Sequence, residues 1–222
     1  MGHTQEYIFG VKGGFNTNKI GDINSRGGSI QVGKADEEFS PNKEIDILFG
    51  GYFAVEFGNF FIRPEINYVS LKNNYAFPKR KSNWSTSKIE VPVLFGIKVF
   101  DPISIYAGPS LNFYDRIQLD GVQVTSFSDG GPDLDRQTTS LNFGIMARYN
   151  RFSLDLRYEM GTKETEEELL DINNSAYGVN LADLRSYKPS VLSLSLSIDI
   201  FRTDGTKIGD LFKNNSNCGC PY

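Results

Sequence analysis

Eight stretches of this chain alternate apolar and polar residues with a period of two, and that rhythm limits the fold more than any other feature. The plainest covers residues 191–201, where Leu192, Leu194, Leu196, Ile198 and Ile200 alternate with Ser193, Ser195, Ser197 and Asp199. The other seven cover residues 7–16, 45–57, 60–71, 89–100, 103–114, 140–149 and 152–161. Successive side chains of a strand point to opposite faces, so each stretch predicts a β-strand with one apolar and one polar face. Gly58-Asn59, Asp101-Pro102 and Asn150-Arg151 make tight links between neighbours. The four remaining links are long and polar, over about residues 17–44, 72–88, 115–139 and 162–190.

Short and long links alternate, which places every long loop at one end. A soluble meander has no reason to do so. A closed, antiparallel, up-and-down transmembrane β-barrel of eight strands does, because its periplasmic turns are short and its extracellular loops long. No run of about 18 apolar residues occurs, which excludes a membrane-spanning helix. A spanning strand needs only about 10 residues, half of them pointing away from lipid. The domain reading is therefore an all-β barrel over residues 1–201, followed by a periplasmic tail over 202–222.

Alternation alone does not say which face points inward. Three features favour apolar side chains outward, against lipid. No strand puts a charge on its apolar face. The polar faces carry both signs: Lys12, Arg63, Lys98, Arg148 and Arg157 against Asp46, Glu56, Glu65, Glu90, Asp155, Glu159 and Asp199. Such a set can pair across a narrow lumen. Small residues share those faces (Gly10, Gly14, Gly50, Gly96, Gly108, Gly144 and the serine row near the end), leaving room for long charged ones in an interior only wide enough to be filled by side chains. Aromatics such as Tyr7, Phe57, Phe60, Tyr68, Phe113, Tyr149 and Phe152 lie near strand ends, as an interfacial girdle requires. Pro64, Pro92 and Pro109 fall inside strands, where bulges are the expected accommodation.

The stretch Ile89-Glu90-Val91-Pro92-Val93-Leu94-Phe95-Gly96-Ile97-Lys98 resembles the fourth-strand motif of the PorT-type "porin family", small outer-membrane barrels of Bacteroidota. Tyr106-Ala107-Gly108-Pro109-Ser110-Leu111 resembles the motif that follows it, and Phe9-Gly10-Val11-Lys12-Gly13-Gly14-Phe15-Asn16 is similar to the family's first strand. The likeness covers roughly residues 6–201. It implies an outer-membrane barrel of about eight strands, similar in architecture to the OmpA membrane domain. It implies no single activity, although some members are tied to type IX protein secretion. The residues after Phe201 depart from the family pattern, in which the chain stops soon after the last strand's aromatic residue.

An outer-membrane destination requires export. Residues 2–6 are polar and carry no apolar stretch, so the expectation is a chain that starts near a processed end or whose start is misplaced.

The charge balance, 23 basic against 27 acidic side chains, gives no footprint for nucleic acid. The single histidine, His3, precedes the first strand, so no Ser/His/Asp arrangement can be built on the barrel. Glu56, Glu65 and Glu159 could do acid–base work, but an interior ion-pair network is the stronger reading, and no catalytic residue is assigned. Gly13-Gly14, Gly27-Gly28 and Gly130-Gly131 lead into no helix, so no phosphate loop and no cofactor is expected. Asp129, Asp133 and Asp135 surround a Gly-Gly-Pro turn without the spacing of a calcium loop, and no metal site is assigned.

Lys79-Arg80-Lys81 with Trp84 could contact lipopolysaccharide phosphates, although a plain solvated loop is the stronger reading. Glu164, Glu166, Glu167, Glu168 and Asp171, with Leu169-Leu170, are enough for a short capped helix or a protein-docking surface, but a plain solvated loop is the stronger reading. Cys218 and Cys220 could form a reducible disulfide or join a partner's thiol. The expected partners are the lipid bilayer, lipopolysaccharide, and proteins met through extracellular loops or the tail. The expected role is a non-enzymatic anchor or scaffold in an envelope or secretion assembly. A narrow pore or solute-binding barrel is the alternative, and a soluble ligand-binding barrel the third reading.

Overall fold

The computed structural model describes residues 5–26, 37–126, 128–133 and 135–205. Eight strands form the wall: β1 (Glu6–Lys19), β2 (Asp46–Phe57), β3 (Phe60–Ala76), β4 (Lys81–Phe100), β5 (Ile103–Tyr114), β6 (Gln137–Tyr149), β7 (Phe152–Gly161) and β8 (Ser190–Arg202). Each pairs antiparallel with its sequence neighbours, and β1 pairs with β8, so the sheet closes. Closure removes the open edges of the wall, so its backbone groups pair from strand to strand apart from local breaks such as that at Pro64 and Pro92. The tight turns carry positive φ at Gly58 (59°) and Asn150 (53°), a conformation glycine and asparagine tolerate.

The orientation is the membrane one. Leu192, Leu194 and Leu196 point outward and are 49%, 48% and 54% exposed, while Arg63 and Arg157 are 1% and 4% exposed inside. Register shifts fall between Phe9 and Gly10 and between Lys98 and Phe100, not at the prolines as expected. At Pro64 and Pro92 the assigned pairing passes from Pro64–Val93 to Asn67–Glu90. Each strand advances by the same number of residues there. A missing donor breaks the ladder locally without displacing the register.

The long links depart most from expectation. Residues 72–88 are not a polar loop. They continue β3 and β4 into strands of 17 and 20 residues, against 10 to 14 for the other wall strands. About 10 residues suffice to cross the membrane, so this hairpin stands well above it. Its facial pattern inverts part-way up. Low on β3, Arg63, Glu65 and Asn67 are buried inward and Ile62 and Ile66 are exposed; higher up, Val69, Leu71 and Tyr75 are buried and Lys72 is exposed. Descending β4, inward Trp84 gives way to Lys88 and Glu90, and outward Asn83 to Ile89. The switch falls at the paired rows Val69–Lys88 and Tyr68–Ile89, which mark where lipid gives way to water.

Above that level the other links assemble a second sheet. Its strands are Glu168–Asp171, Leu181–Leu184, Ile23–Ser25 and Glu38–Phe39, in that spatial order. The helix expected from the glutamate run lies later, at Asn174–Tyr177, capped by Asn173, whose side chain accepts from the Ala176 amide. Residues Glu168–Asp171 form a strand instead, because Leu170 and Ile172 are drawn into an apolar core. That core joins Ile23, Leu184 and Tyr177 of the links to Leu71, Tyr75 and Trp84 of the tall hairpin. The outer end of the barrel therefore carries a compact cap with its own hydrophobic interior.

Candidate functional site

The interior face of the wall brings the sequence-derived charged residues into layers. At the short-turn mouth, Glu56 accepts from Lys98 and Arg148. Beside it, Arg202 lies 2.8 Å from Glu6 and 3.1 Å from Asp204. One layer in, Tyr52 donates to Asp199, and the Arg63 guanidinium sits 3.7 Å from the Tyr52 ring centroid, over its face. Phe61, Leu94, Tyr106 and Met146 form a small apolar layer. A Cβ on Gly96 would collide with the Phe61 ring, and one on Gly144 with Tyr106, so the inward glycines are the space these aromatics occupy.

The centre is a knot of ions. Glu65 lies 2.8 Å from Arg63, 2.9 Å from Arg157 and 3.2 Å from Lys12. Asp155 lies 3.2 Å from Lys12 and 3.1 Å from Arg157, and accepts from Tyr106. Glu90 approaches Arg157 at 3.8 Å. Higher, Lys88 donates to Glu159, which also accepts from Asn112 at 3.0 Å. At the upper rim Asp46 accepts from Ser70 at 2.7 Å and lies 3.3 Å from Lys72. Buried ions are tolerated only when paired this densely, because the desolvation cost of a lone charge is several kcal/mol.

Sequence reasoning missed four participants. Lys88 falls within the loop expected over residues 72–88, yet it has the same parity as Glu90 and is 1% exposed. Tyr52 and Tyr106 lie on the polar faces by parity and supply the hydroxyls for Asp199 and Asp155. Arg151, in a tight turn, is buried and donates to the Asp199 carbonyl at 2.9 Å; nothing in the local sequence signals this.

The candidate surface contact needs correction. Trp84 is 2% exposed and belongs to the cap core, because the hairpin continues through it with its ring facing inward. Lys79 is exposed, but its ammonium donates to the carbonyls of Asn174 and Ser175 at 3.2 and 3.3 Å, tying the hairpin tip to the short helix. Arg80 stands 5.8 Å from the Tyr177 ring centroid. Lys81 remains exposed. Asp129, Asp133 and Asp135 do not converge: Asp135 pairs with Lys163 at 2.8 Å, and no group of three metal-ligating acids, histidines or cysteines occurs among the described residues. Cys218 and Cys220 lie outside the described residues.

In the cap, the Glu168 carboxylate accepts from the Asp133 amide at 2.7 Å, linking two of the long links. Burial pushes the Glu168 carboxyl up to about 7, and the nearby Asp133 and Asp129 charges act in the same direction against that hydrogen bond.

Cavities lie at both ends of the ion knot. A vestibule of about 540 Å³ opens beneath the cap on the β6–β7 side, with Asn112, Tyr114 and Glu159 at its inner end. A second space of about 360 Å³ lies at the short-turn mouth around Glu56, Lys98 and Arg148. Between them stand the knot and the aromatic layer.

A family model described as "Outer membrane protein beta-barrel domain" matches residues 4–163. No curated protein matches the sequence. Among solved structures, the outer membrane protein OprG from Pseudomonas aeruginosa is similar at 12% identity and TM-score 0.50, covering 89% of this chain and 96% of that one. Neisserial surface protein A is similar at 10% identity and TM-score 0.42, covering 86% and 96%. The outer membrane protein AlkL is similar at 13% identity and TM-score 0.42, covering 89% and 92%. At these identities the likeness to OprG speaks for the fold alone.

Proposed function

Because the chain belongs to the outer membrane protein β-barrel domain family, we propose that it works as a sealed, non-enzymatic anchor in the outer membrane that holds a rigid cap at the cell surface. The observation that carries this reading is the central knot. Glu65 and Asp155 take five contacts of 3.2 Å or less from Lys12, Arg63 and Arg157, in a lumen already narrowed by Phe61, Leu94, Tyr106 and Met146. A pore needs a continuous water path, and a barrel of eight strands has an interior that side chains fill. The apolar core of the cap supports a display role, since it fixes the long links in one shape.

The likeness of residues 89–98 and 106–111 to PorT-type barrels supports a place within an envelope or type IX-like secretion assembly. Contacts with that assembly run through the cap or the tail, and the exposed Lys81 is available to lipopolysaccharide phosphates.

Conductance in planar bilayers tests the sealed lumen. The expected result is no channel events from the full chain. Discrete, ohmic events that vanish on heat denaturation would overturn it and favour the narrow-pore reading. Crosslinking in native membranes through cysteines placed on the cap tests display: a stoichiometric protein adduct is expected, and a barrel that always migrates alone would count against an assembly.

A further inference from the structure

The two rims of the barrel wall treat positive charge differently. At the short-turn rim the described cations are all engaged: Lys98 and Arg148 by Glu56, Arg202 by Glu6, and Arg151 by the Asp199 carbonyl. Exposed aromatics such as Phe57, Phe60, Tyr149 and Phe201 complete that rim. At the cap-side rim, one arc of the wall carries exposed lysines instead. The arc is β8–β1–β2–β3, contiguous in the sheet. Lys188 lies two residues before β8, and Lys19 ends β1 opposite Ser190. Lys43 ends the short strand Pro41–Lys43 that precedes β2 and pairs with β3, and Lys72 stands on β3 itself. All four are exposed.

These charges are not cancelled locally. Lys72 lies 3.3 Å from Asp46. Lys19, Lys43 and Lys188 form no ion pair among the described residues. Of the acids within three positions of the four lysines, Glu44 accepts from Asn74 at 2.6 Å, Asp46 is buried and accepts from Ser70 at 2.7 Å, and Asp22 is half-buried. The opposite arc differs, because there Arg116, Arg136 and Lys163 share the rim with exposed Asp115, Asp133, Asp135 and Glu164.

A second observation fixes what faces the lysines. Lys72 lies three residues beyond Val69, where the facial pattern inverts. At about 3.3 Å per residue and a tilt of about 40°, that is roughly 8 Å above the hydrocarbon edge. The headgroup layer is about 5–8 Å deep on each side, so the Lys72 ammonium stands at its level. Below the lysines the outward wall is apolar: Phe15, Ile45, Ile47 and Phe49 are 60%, 74%, 50% and 54% exposed. The arc therefore continues the lipid-facing surface upward into a positive strip. Lys19 and Lys72 stand on strands separated by β2, about 10 Å apart across the wall, farther than one phosphate reaches.

We propose that this arc binds an outer-leaflet lipid whose headgroup carries more than one phosphate, as lipopolysaccharide does, with the phosphates at Lys19, Lys43, Lys72 and Lys188 and the acyl chains along Phe15, Ile47 and Phe49. This rests on the reading of the chain as an outer-membrane anchor and supplies that anchor with a lipid contact on one side only.

Native mass spectrometry of the refolded full chain in detergent, titrated with bisphosphorylated lipid A, tests the arc. Heat-modifiable migration of the same sample tests the barrel separately. A chain that never gains a folded form would sink the anchor reading, whereas a folded barrel without saturable lipid A adducts would overturn this site alone. Saturable adducts that weaken as salt rises are expected, with far fewer from dephosphorylated lipid A or from phosphatidylglycerol. The triple variant Lys19→Gln, Lys43→Gln and Lys188→Gln touches no ion pair of the described residues and should weaken lipid A binding about tenfold. Lys81→Gln removes a like charge at the hairpin tip, away from the boundary, and should leave affinity within about twofold. Equal binding of dephosphorylated lipid A or of phosphatidylglycerol, a triple variant that binds like the parent, or a loss from Lys81→Gln as large as from the triple variant would each overturn the proposal.

Discussion

The lumen and the cap are two interiors stacked along one pair of strands, and their chemistry is opposite. In the lumen, Arg63, Arg157, Glu65 and Asp155 are buried and the leucines of β8 face outward. In the cap, Trp84, Tyr75, Leu170 and Ile172 are buried, while lysines such as Lys72, Lys79 and Lys81 are exposed. The same β3 and β4 backbones serve both. What changes is the solvent: against hydrocarbon the apolar face belongs outside, and against water it belongs inside. A strand that crosses the boundary must invert its pattern, and the inversion at Val69–Lys88 records where that boundary lies.

The sharpest way to separate the two interiors is to damage each. Arg157→Ala leaves Glu65 and Asp155 short of a partner and should cost about 3–5 kcal/mol of barrel stability, read as urea unfolding in lipid vesicles. Trp84→Ala opens a cavity in the cap and should cost about 3–5 kcal/mol there. The second variant should keep a native heat-modifiable barrel while its long links become protease-sensitive. If both variants unfold barrel and cap together, the two interiors are one cooperative unit.

The boundary itself can be probed from outside. Leu194→Arg places a charge on the lipid face and should cost about 2–4 kcal/mol if it sits near the bilayer midplane. Ser85→Arg adds the same group on the outward face of the tall hairpin above the switch and should change stability by less than about 0.5 kcal/mol. Equal costs would show that the pattern inversion does not mark the membrane surface.

The smallest effect concerns the cap alone. Glu168 titrates near 7 when folded against an ordinary value of 4.5, so the folded cap holds its proton more tightly. Stability from this group is full below about 4.5, falls as pH rises toward 7, and stays level above. Half-exposure keeps the effect small. Hydrogen exchange at Leu170 and Asp171 should speed up across that window, and Glu168→Gln should flatten the response.

The chain's own alternation determined the wall. Period-two patterning, the positions of the tight turns and the spread of charges over one face were enough to give the strand number and the inside-out orientation, because each is a local or parity property of the sequence; closure followed from these by inference and is made by the distant pairing of β1 with β8. The charged residues of the lumen were legible for the same reason. Tertiary structure alone decided which of them meet, since Lys12 reaches Glu65 and Asp155 only across a closed ring. It also decided the cap. The apolar residues of the long links stand alone or in short groups such as Leu169-Leu170, and Trp84 beside a basic triplet reads as surface until the hairpin is seen to continue past the membrane. Burial there depends on links far apart in sequence packing against one another, a non-local energy that no short window of residues contains.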